Sequence, residues 1–356
     1  MPSIEDVVDR IRKLENRRRE VGEQLGDADL DAVASDAFVE DGFIREVEPA
    51  DVDGRTVAGV DGGVIQKEFH GVDVVLTRAV AAVFSYREES LDASSYLPDA
   101  DPRPEITYIE SPLDRQEFNL STSLLRLQRE IEAARSALDQ DPEVLLLDGS
   151  IVPQYTDRPA EGSRSREFYD DLIGTYRELF DEARERGVLL AGVIEDSRGT
   201  RLCEELAGQE FLAEEARDVL ATTQDTNMLQ YFLKHGQRTP VMRYTEEYEK
   251  HPTLQDIGEV GGEVYNFYLR TAEHDRPVRV DFLAPDDPSA TADELASILL
   301  PLCSFSSTYG IPSVLVEADQ RAKLSQQDLE LFESRLRSVV GPLPGIDDLR
   351  RDSRPF

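Results

Sequence analysis

Two apolar runs of the chain end in the same way, and this pattern limits the fold more than any other feature. "TVAGVDGG" reaches Asp61 and then two glycines, and "EVLLLDGS" reaches Asp148 and then one glycine. Short runs of aliphatic and β-branched residues closed by glycine are typical of buried strands. A glycine directly after the acid allows a sharp turn and leaves the carboxylate uncovered. We therefore expect Asp61 and Asp148 each to stand where a buried strand ends.

The order of the other elements favours an α/β fold. An early hairpin with strands at 55–62 and 72–86 is followed by a loop at 90–104 and then by alternating helices and strands. Helices are predicted at 3–25, 117–139, 165–186, 290–308 and 325–339, and strands at 105–110, 188–195, 239–244, 263–271, 278–283 and in "PSVLVEADQ". Such alternation predicts a mixed sheet flanked by helices.

The domain organisation follows from the length and from the punctuation of the chain. A chain of 356 residues fits one large or two ordinary domains. We predict an N-terminal helix within residues 1–30, a main domain at 31–340 with a helical insertion at about 152–235, and a flexible tail at 341–356. The N-terminal helix carries an apolar stripe that packs on its own core or meets a partner; the stripe includes Ile4, Val8 and Ile11.

The charge balance is strongly acidic, with a net charge of −34 from 73 acidic and 39 basic residues, of which only five are lysine. An acidic, lysine-poor surface suits a cytoplasm at molar salt, where ions screen the self-repulsion of the chain. We therefore predict a halophilic archaeal source and a cytoplasmic protein, and the sequence predicts neither a signal peptide nor a membrane span. The acidity does not exclude nucleic acid as a partner, because arginines or metal ions can neutralise phosphates locally.

Three acidic residues follow apolar runs and form a candidate metal site. They are Asp61, Asp148 and Asp319, the last of which follows "SVLVEA". Convergent carboxylates repel one another, and their hard oxygen atoms suit Mg²⁺ or Mn²⁺. A fourth ligand is expected from the helix between the first two, where Glu130 lies nearer the apolar face than Glu132. Because Asp-Gly is also a common turn signal, a role as turn residue or helix cap stays open for each aspartate.

At these motifs the sequence resembles the NurA family, archaeal nucleases with an RNase H-like core. "VAGVDGG" is similar to the first acidic motif of the family and "VLLLDGSIV" to its central motif. "GVIEDSR", "LCEEL" and "TTQDTNMLQYFL" are similar to later segments, and "YGIPSVLVEADQRAKLS" corresponds to the last motif. The resemblance runs from about residue 55 to 330 and implies an RNase H-like mixed sheet flanked by helices.

The resemblance implies that Asp61, Glu130 and Asp148 bind catalytic Mn²⁺, with Mg²⁺ as the alternative ion. The last motif departs from the family, because Ile311 stands where tyrosine is usual and Asp319 where histidine is usual. Aspartate can replace histidine as a ligand of a hard cation. Asp319 therefore remains the fourth candidate metal ligand and catalytic residue.

Other residues near the motifs are candidates for contact with the ion or the substrate. Glu195 stands where the family often has lysine, and Glu195 and Asp196 are candidate additional ligands. Tyr309 lies two positions before the expected tyrosine. Nucleic-acid-binding arginines are predicted from their position near the motifs, with surface ion pairing as the alternative role of each: Arg198, Arg201, Arg238 and Arg321.

The function implied by the resemblance is that of a Mn²⁺-dependent deoxyribonuclease. The family implies single-strand endonuclease and 5′-to-3′ exonuclease activity on DNA ends. It also implies double-strand-break end resection in homologous recombination, by a homodimer that works with a HerA-like hexameric ATPase.

Two alternatives stay open. One is an RNase H-like nuclease that acts on RNA or on RNA–DNA hybrids, and the other is a catalytically weakened adaptor for a hexameric translocase. Carboxylates of Asp61, Glu130 and Asp148 within reach of one ion favour a nuclease, whereas splayed carboxylates favour the adaptor.

Overall fold

The computed structural model describes residues 3–30, 33, 35–88, 90–110, 113–341 and 343–349. In this part of the chain eleven strands form one sheet. The strands are β1 (Arg45–Glu46), β2 (Thr56–Glu68), β3 (Asp73–Arg87), β4 (Ser90–Leu97), β5 (Glu105–Ile109), β6 (Val144–Asp148), β7 (Leu189–Ile194), β8 (Gln237–Arg238), β9 (Met242–Arg243), β10 (Val264–Leu269) and β11 (Val278–Leu283). The helices are α1 (Ile4–Asp27), α2 (Arg115–Leu138), α3 (Arg166–Arg186), α4 (Arg201–Ala207), α5 (Glu214–Leu220), α6 (Asp225–Leu229), α7 (Leu254–Ile257), α8 (Pro288–Leu302), α9 (Ser313–Ala322) and α10 (Gln326–Val340).

The sheet is parallel at its centre and antiparallel at its flanks, which confirms the predicted mixed α/β class. Its strand order is β1-β8-β10-β11-β7-β6-β2-β3-β4, with β5 beside β3 and β9 beside β10. β6 pairs in parallel with β2 on one side and with β7 on the other. A central parallel strand is covered on both faces, and this explains why β6 is apolar from Val144 to Leu147.

Helices cover the two faces of the sheet and divide the core into two main layers. On one face, α2 and α3 pack on side chains such as Ala58 and Val60 of β2. On the other face, α8 and α9 pack on side chains such as Val57 of β2 and Leu146 of β6. Successive residues of a strand point to opposite faces, so the parity of a residue number in β2 and β6 tells which layer its side chain enters.

Two predicted elements of the sheet are wrong in detail. The segment predicted as a loop at 90–104 begins with β4, whose Ser- and Asp-rich sequence "SLDASSYL" pairs with β3. Its polar composition reflects exposed side chains, while the backbone hydrogen bonds decide the conformation. Of the strand predicted at 239–244 only β9 forms, and β8 ends just before that range. Pro240 lies between them and has no backbone N–H to donate to a neighbouring strand.

Helix α1 forms as predicted, but its N-terminal half lies on the surface. The predicted apolar stripe is exposed, with Ile4 at 79% of its full accessible area, and it comprises Ile4, Val7, Val8, Ile11 and Leu14. The buried residues of α1 are Val21, Gly22 and Leu25, which lie in its second half. They belong to a cluster with α4, α5 and α6. The range 152–235 also contains α3 and the central strand β7, and its second half contains the short helices α4, α5 and α6.

The chain end described by the structure is anchored to the β2–β3 hairpin. Lys67 forms an ion pair with Asp348 at 3.0 Å, and Phe69 forms a β-bridge with Asp348. The last part of the predicted flexible tail, 350–356, lies outside the described residues. In the described part of the chain, no helix combines the length and the apolarity needed to span a membrane.

Candidate active site

Asp61 and Asp148 lie side by side on the same face of the sheet. β2 and β6 run in parallel with Val60 opposite Leu147, so the next residue of each strand is an aspartate. Strand alternation directs both carboxylates toward the face covered by α9. Burial, followed by repulsion from Asp61, raises the pKa of Asp148 to about 7. Burial also raises the pKa of Asp61.

Only one of these two aspartates stands at the end of a strand, so the prediction for Asp61 is wrong. β6 ends at Asp148, whereas β2 continues through Asp61 to Glu68. After Asp148 the chain turns toward β7, where Gly149 N donates to Val193 O at 2.9 Å. Gly149 has a φ of +104°, a conformation that favours glycine, and this confirms the predicted turn at that position. β2 therefore extends past β6, and among the described residues no strand pairs with this edge of β2 beyond Val60.

Glu130 approaches the same point from the opposite face of the sheet. It lies on α2, is only 3% exposed, and places Oε2 3.2 Å from the position that a β-carbon on Gly62 would occupy. Burial raises the pKa of Glu130 to about 8, against the lowering effect of Arg126. Glu132 instead accepts hydrogen bonds from Gln128 and Arg129 on the outer side of α2. Of the two glutamates, Glu130 is therefore the one beside the aspartates.

The two glycines after Asp61 serve close packing, not a turn. Both lie within the extended strand β2. A β-carbon on Gly62 would press on Glu130, and a β-carbon on Gly63 would stand 2.2 Å from the carbonyl oxygen of Ala322 at the end of α9. The pattern Asp-Gly-Gly thus allows α2 and α9 to approach the strand from opposite faces.

Arg126 is a member of the site that the sequence did not indicate. Its Nη1 atom donates to Oε2 of Glu130 at 2.5 Å and to the carbonyl oxygen of Gly62 at 3.4 Å. The available signal was the spacing of four residues between Arg126 and Glu130, which places both on one face of a helix. Such pairs are common on helix surfaces, so the spacing alone did not identify a buried pair.

Asp319 lies on a helix, and the prediction of a strand at "PSVLVEADQ" is wrong. Pro312 precedes α9, and the buried residues of α9 recur at helical spacing: Val314, Leu315, Ala318 and Ala322. Asp319 lies near enough to Asp61 and Asp148 for its charge to raise the pKa of each, after the larger effect of burial. The nearest hydrogen-bond donor to its carboxylate is Gln320 Nε2, at 3.1 Å. Asp319 therefore adds negative charge at the rim of the site.

An open cleft of about 490 Å³ lies beside the carboxylates of Asp148 and Asp319. It is lined by Asp148, Glu195, Asp196, Tyr309 and Asp319 together with apolar residues of α9. The hydroxyl of Tyr309 donates to Glu195 Oε1 at 2.7 Å. Tyr309 thus reaches the site although it does not occupy the expected position in the last motif.

Comparison with known proteins agrees with this arrangement. A family model described as NurA domain matches residues 55–324, which include all four carboxylates. The chain belongs to the NurA family. The resemblance found in the sequence motifs is thereby confirmed.

Solved NurA structures share the fold at low sequence identity. The crystal structure of the NurA nuclease from Sulfolobus solfataricus is 17% identical with a TM-score of 0.58, and the alignment covers 96% of this chain and 100% of that chain. A crystal structure of NurA with manganese is 10% identical with a TM-score of 0.53, covering 93% of this chain and 98% of that chain. No curated protein matches the sequence. At these identities the structures support a common fold.

The four arginines predicted to bind nucleic acid differ in accessibility. Arg198 is exposed beside the cleft residues Glu195 and Asp196. Arg201 donates to the carbonyl oxygens of Arg243 and Tyr244, at 2.7 and 3.2 Å.

The other two arginines are held by the protein itself. Arg321 stacks on Tyr96 and pairs with Glu317. Arg238 is wrong as a candidate for phosphate contact, because its side chain is 0% exposed and forms ion pairs with Glu40 and Asp293. Arg198 is therefore the best placed of the four for substrate contact.

The carboxylates of this NurA-family site lie near one another but do not surround a single point at which an ion could be held. Within the described ranges, no three His, Cys, Asp or Glu side chains stand together as a formed metal site. The donor atoms nevertheless fit a hard divalent cation, since all belong to carboxylates. No described residue donates a hydrogen bond to the carboxylate of Asp148. A half-buried carboxylate without a donor is suited to a cation as its partner.

Proposed function

We propose that the protein is a metal-dependent nuclease that hydrolyses phosphodiester bonds of DNA. The observation that carries the proposal is the meeting of four carboxylates from four elements at the edge of β2 beyond Val60. Asp61 and Asp148 come from adjacent parallel strands, and Asp319 lies on a helix over the same face. Glu130 reaches them from the opposite face. Clustering these mutually repelling carboxylates with a single arginine among them is unfavourable for folding stability, so stability alone does not explain the arrangement.

Asp61, Glu130 and Asp148 are the residues that would hold the ion, and Asp319 would complete the site from α9. A divalent cation there would supply Lewis-acid activation of water and stabilisation of the charge on the departing oxygen. Mn²⁺ is the preferred candidate, since a related structure contains manganese, and Mg²⁺ is the alternative. Both ions accept carboxylate oxygens.

The protein's own residues prepare this chemistry in three ways. Burial raises the pKa of Glu130 to about 8 against the lowering effect of Arg126, so a divalent cation bound there would favour the ionised carboxylate. Gly149 leaves the carboxylate of Asp148 open to the cleft, because it has no side chain. Ile311, Leu315 and Val316 give the cleft an apolar wall beside Asp148 and Asp319.

The proposed substrate and partners follow from NurA membership. We infer single-strand endonuclease and 5′-to-3′ exonuclease activity on DNA ends, in double-strand-break resection for homologous recombination. Little sequence preference is expected, because the sequence lacks a base-reading motif. The inferred assembly is a homodimer docked on a HerA-like hexameric ATPase in a halophilic archaeal cytoplasm. The exposed apolar stripe of α1 supports an interaction surface of this kind.

A cleavage assay tests the proposal. Purified protein in concentrated KCl is mixed with end-labelled single-stranded DNA, double-stranded DNA, RNA and RNA–DNA hybrid, each with Mn²⁺, Mg²⁺ or EDTA. Cleavage of DNA with Mn²⁺ and none with EDTA is expected. Preferential cleavage of RNA or of the hybrid would replace DNA by RNA as the substrate. No cleavage of any substrate, combined with binding to the hexameric ATPase, would favour the adaptor function instead.

A further inference from the structure

Arg126 occupies the place where positive charge is needed in the carboxylate site. Its guanidinium group lies against Glu130 and the backbone of Gly62, and its charge also acts on Asp61 and Asp148. Arg126 is the basic side chain among the main influences on the pKa of each of these three carboxylates. It neutralises part of the charge that the acids bring together.

Arg126 and a divalent ion would compete for the same oxygen atom. Arg126 binds Oε2 of Glu130, and Oε2 is also the atom that lies over Gly62, beside Asp61. An ion held by Glu130 and the two aspartates would stand close to the guanidinium group, and two cations at such a distance repel each other. Within the described ranges, the acidic side chains in their present positions also do not form a complete metal site.

A second carboxylate near Arg126 lies in the short turn that follows β6. Asp157 interacts electrostatically with Arg126. Its Oδ1 accepts from Ser123 at 3.2 Å, and its Oδ2 accepts from the backbone of Gln154 at 3.0 Å. Ser123 is one turn before Arg126 on α2, so a rotation of the arginine side chain along the helix leads toward Asp157.

We propose that Arg126 is a displaceable internal cation, which holds Glu130 while the site is metal-free and moves toward Asp157 when a divalent ion binds. This inference rests on the proposed function. It has two consequences. The folded state tolerates its clustered acids at low metal concentration, and the site binds the ion more weakly than the carboxylates alone would. Arg126 is therefore a positioning residue that sets the metal concentration at which the site fills.

Calorimetric titration of the full-length protein with Mn²⁺ tests the competition. Arg126→Gln is expected to bind Mn²⁺ about tenfold more tightly than the wild type, because the competing cation is gone. Arg129→Gln is the matched control, since Arg129 lies on the same helix but pairs with Glu132 and Glu105 outside the site. Its Mn²⁺ affinity is expected to equal that of the wild type.

Thermal unfolding gives a second readout that does not depend on activity. In EDTA the melting temperature of Arg126→Gln is expected to fall below that of the wild type, and saturating Mn²⁺ is expected to remove the difference. Arg129→Gln is expected to show the same difference from the wild type with and without Mn²⁺. Equal Mn²⁺ affinity in wild type and Arg126→Gln would overturn the inference and leave the metal site standing. Absence of Mn²⁺ binding in every variant would overturn the metal site as well.

Asp157→Asn tests the movement of the Arg126 side chain toward Asp157 without removing the arginine. It also provides a test of the proposal if Arg126→Gln does not fold. Because the displaced guanidinium loses its receiving carboxylate, Asp157→Asn is expected to weaken Mn²⁺ binding several-fold. In the Arg126→Gln background the same substitution is expected to have little effect, since the coupling runs through the arginine. Equal effects of Asp157→Asn in both backgrounds would exclude Asp157 as the receiving group.

Discussion

The carboxylate of Glu130 lies directly over Gly62, with Oε2 3.2 Å and the β-carbon of Glu130 3.3 Å from where a β-carbon of residue 62 would stand. The glutamate reaches the aspartates only because residue 62 has no side chain. A glycine in a strand usually weakens it, and here the close approach of a helix gives the glycine its role.

Gly62→Ala is expected to move Glu130 away from Asp61 and to reduce Mn²⁺-dependent cleavage by about 100-fold, as displacement of a ligand does. Calorimetric Mn²⁺ titration and initial cleavage rates measure the effect. Gly174→Ala is the control, because no atom lies within 4 Å of the added β-carbon in α3. That variant is expected to be neutral or more stable by about 0.5–1 kcal/mol. Normal Mn²⁺ affinity in Gly62→Ala would show that Glu130 does not bind the ion.

The sequence predicted the features that depend on neighbouring residues. β6 and α2 were found because their apolar residues follow the period of a buried strand or of a helix. The expectation that Asp61 and Asp148 share a site rested on the repeated Asp-Gly pattern after two apolar runs. The structure supplies the physical reason for their proximity, because β2 and β6 are adjacent parallel strands. The mixed sheet was predicted from the alternation of local patterns.

The features missed by the sequence depend on contacts between distant segments. The apolar run of α9 fits a strand as well as a helix at this length, and packing against β2 decides between them. Arg238 is buried because Glu40, 198 residues away in sequence, supplies its counter-charge. The role of Gly62 depends on where Glu130 lies in the folded chain. The residues around position 62 in the sequence do not reveal this.

The stability of the metal-free protein is expected to fall as pH rises from about 4.5 to 8, because Glu130 has its pKa raised from 4.5 to about 8. In this window the folded state keeps a proton that the unfolded state has released, so deprotonation favours unfolding. Melting temperatures in EDTA across the window measure the slope.

Glu130→Gln removes one titrating group and is expected to reduce the slope, while Asp148, whose pKa is raised to about 7, keeps its own contribution. Mn²⁺ is expected to flatten the slope in the wild type by binding the ionised carboxylates. Glu132→Gln is the matched control and is expected to keep the wild-type slope, since its side chain faces outward to Gln128 and Arg129. Parallel slopes for wild type and Glu130→Gln would assign the pH dependence to other groups.

Asp148→Asn is expected to lower Mn²⁺-dependent cleavage by at least about 100-fold while the fold remains intact. The substitution keeps the shape of the side chain and removes a charge that Asp61, Glu195 and Asp319 repel. The melting temperature in EDTA is therefore expected to stay equal or rise. Asp139→Asn, at the exposed end of α2, is the control for loss of one negative charge. Cleavage at the wild-type rate would remove Asp148 from the site.

Arg238→Ala is expected to reduce the free energy of unfolding by about 3–5 kcal/mol, since it leaves two carboxylates without their buried partner. Chemical denaturation measures this loss. DNA affinity, measured on the folded fraction at moderate salt, is expected to be unchanged. Arg198→Ala is the comparison variant. It is expected to leave the free energy of unfolding unchanged and to weaken DNA binding. A DNA-binding defect in folded Arg238→Ala, with normal stability, would restore Arg238 as a substrate contact.

Asp319→Ala is expected to reduce cleavage by about tenfold, less than Asp148→Asn, because its carboxylate lies at the rim and contributes mainly charge. Asp319→His is expected to recover part of the activity, since imidazole also donates a lone pair to Mn²⁺. Glu317→Gln is the control on the same helix, where the native side chain contacts Tyr96 and Arg321 instead of the aspartates. Initial rates across a Mn²⁺ titration separate weaker ion binding from slower chemistry. If Asp319→Ala matches the wild type at every Mn²⁺ concentration, the ion is held by Asp61, Glu130 and Asp148 without help from α9.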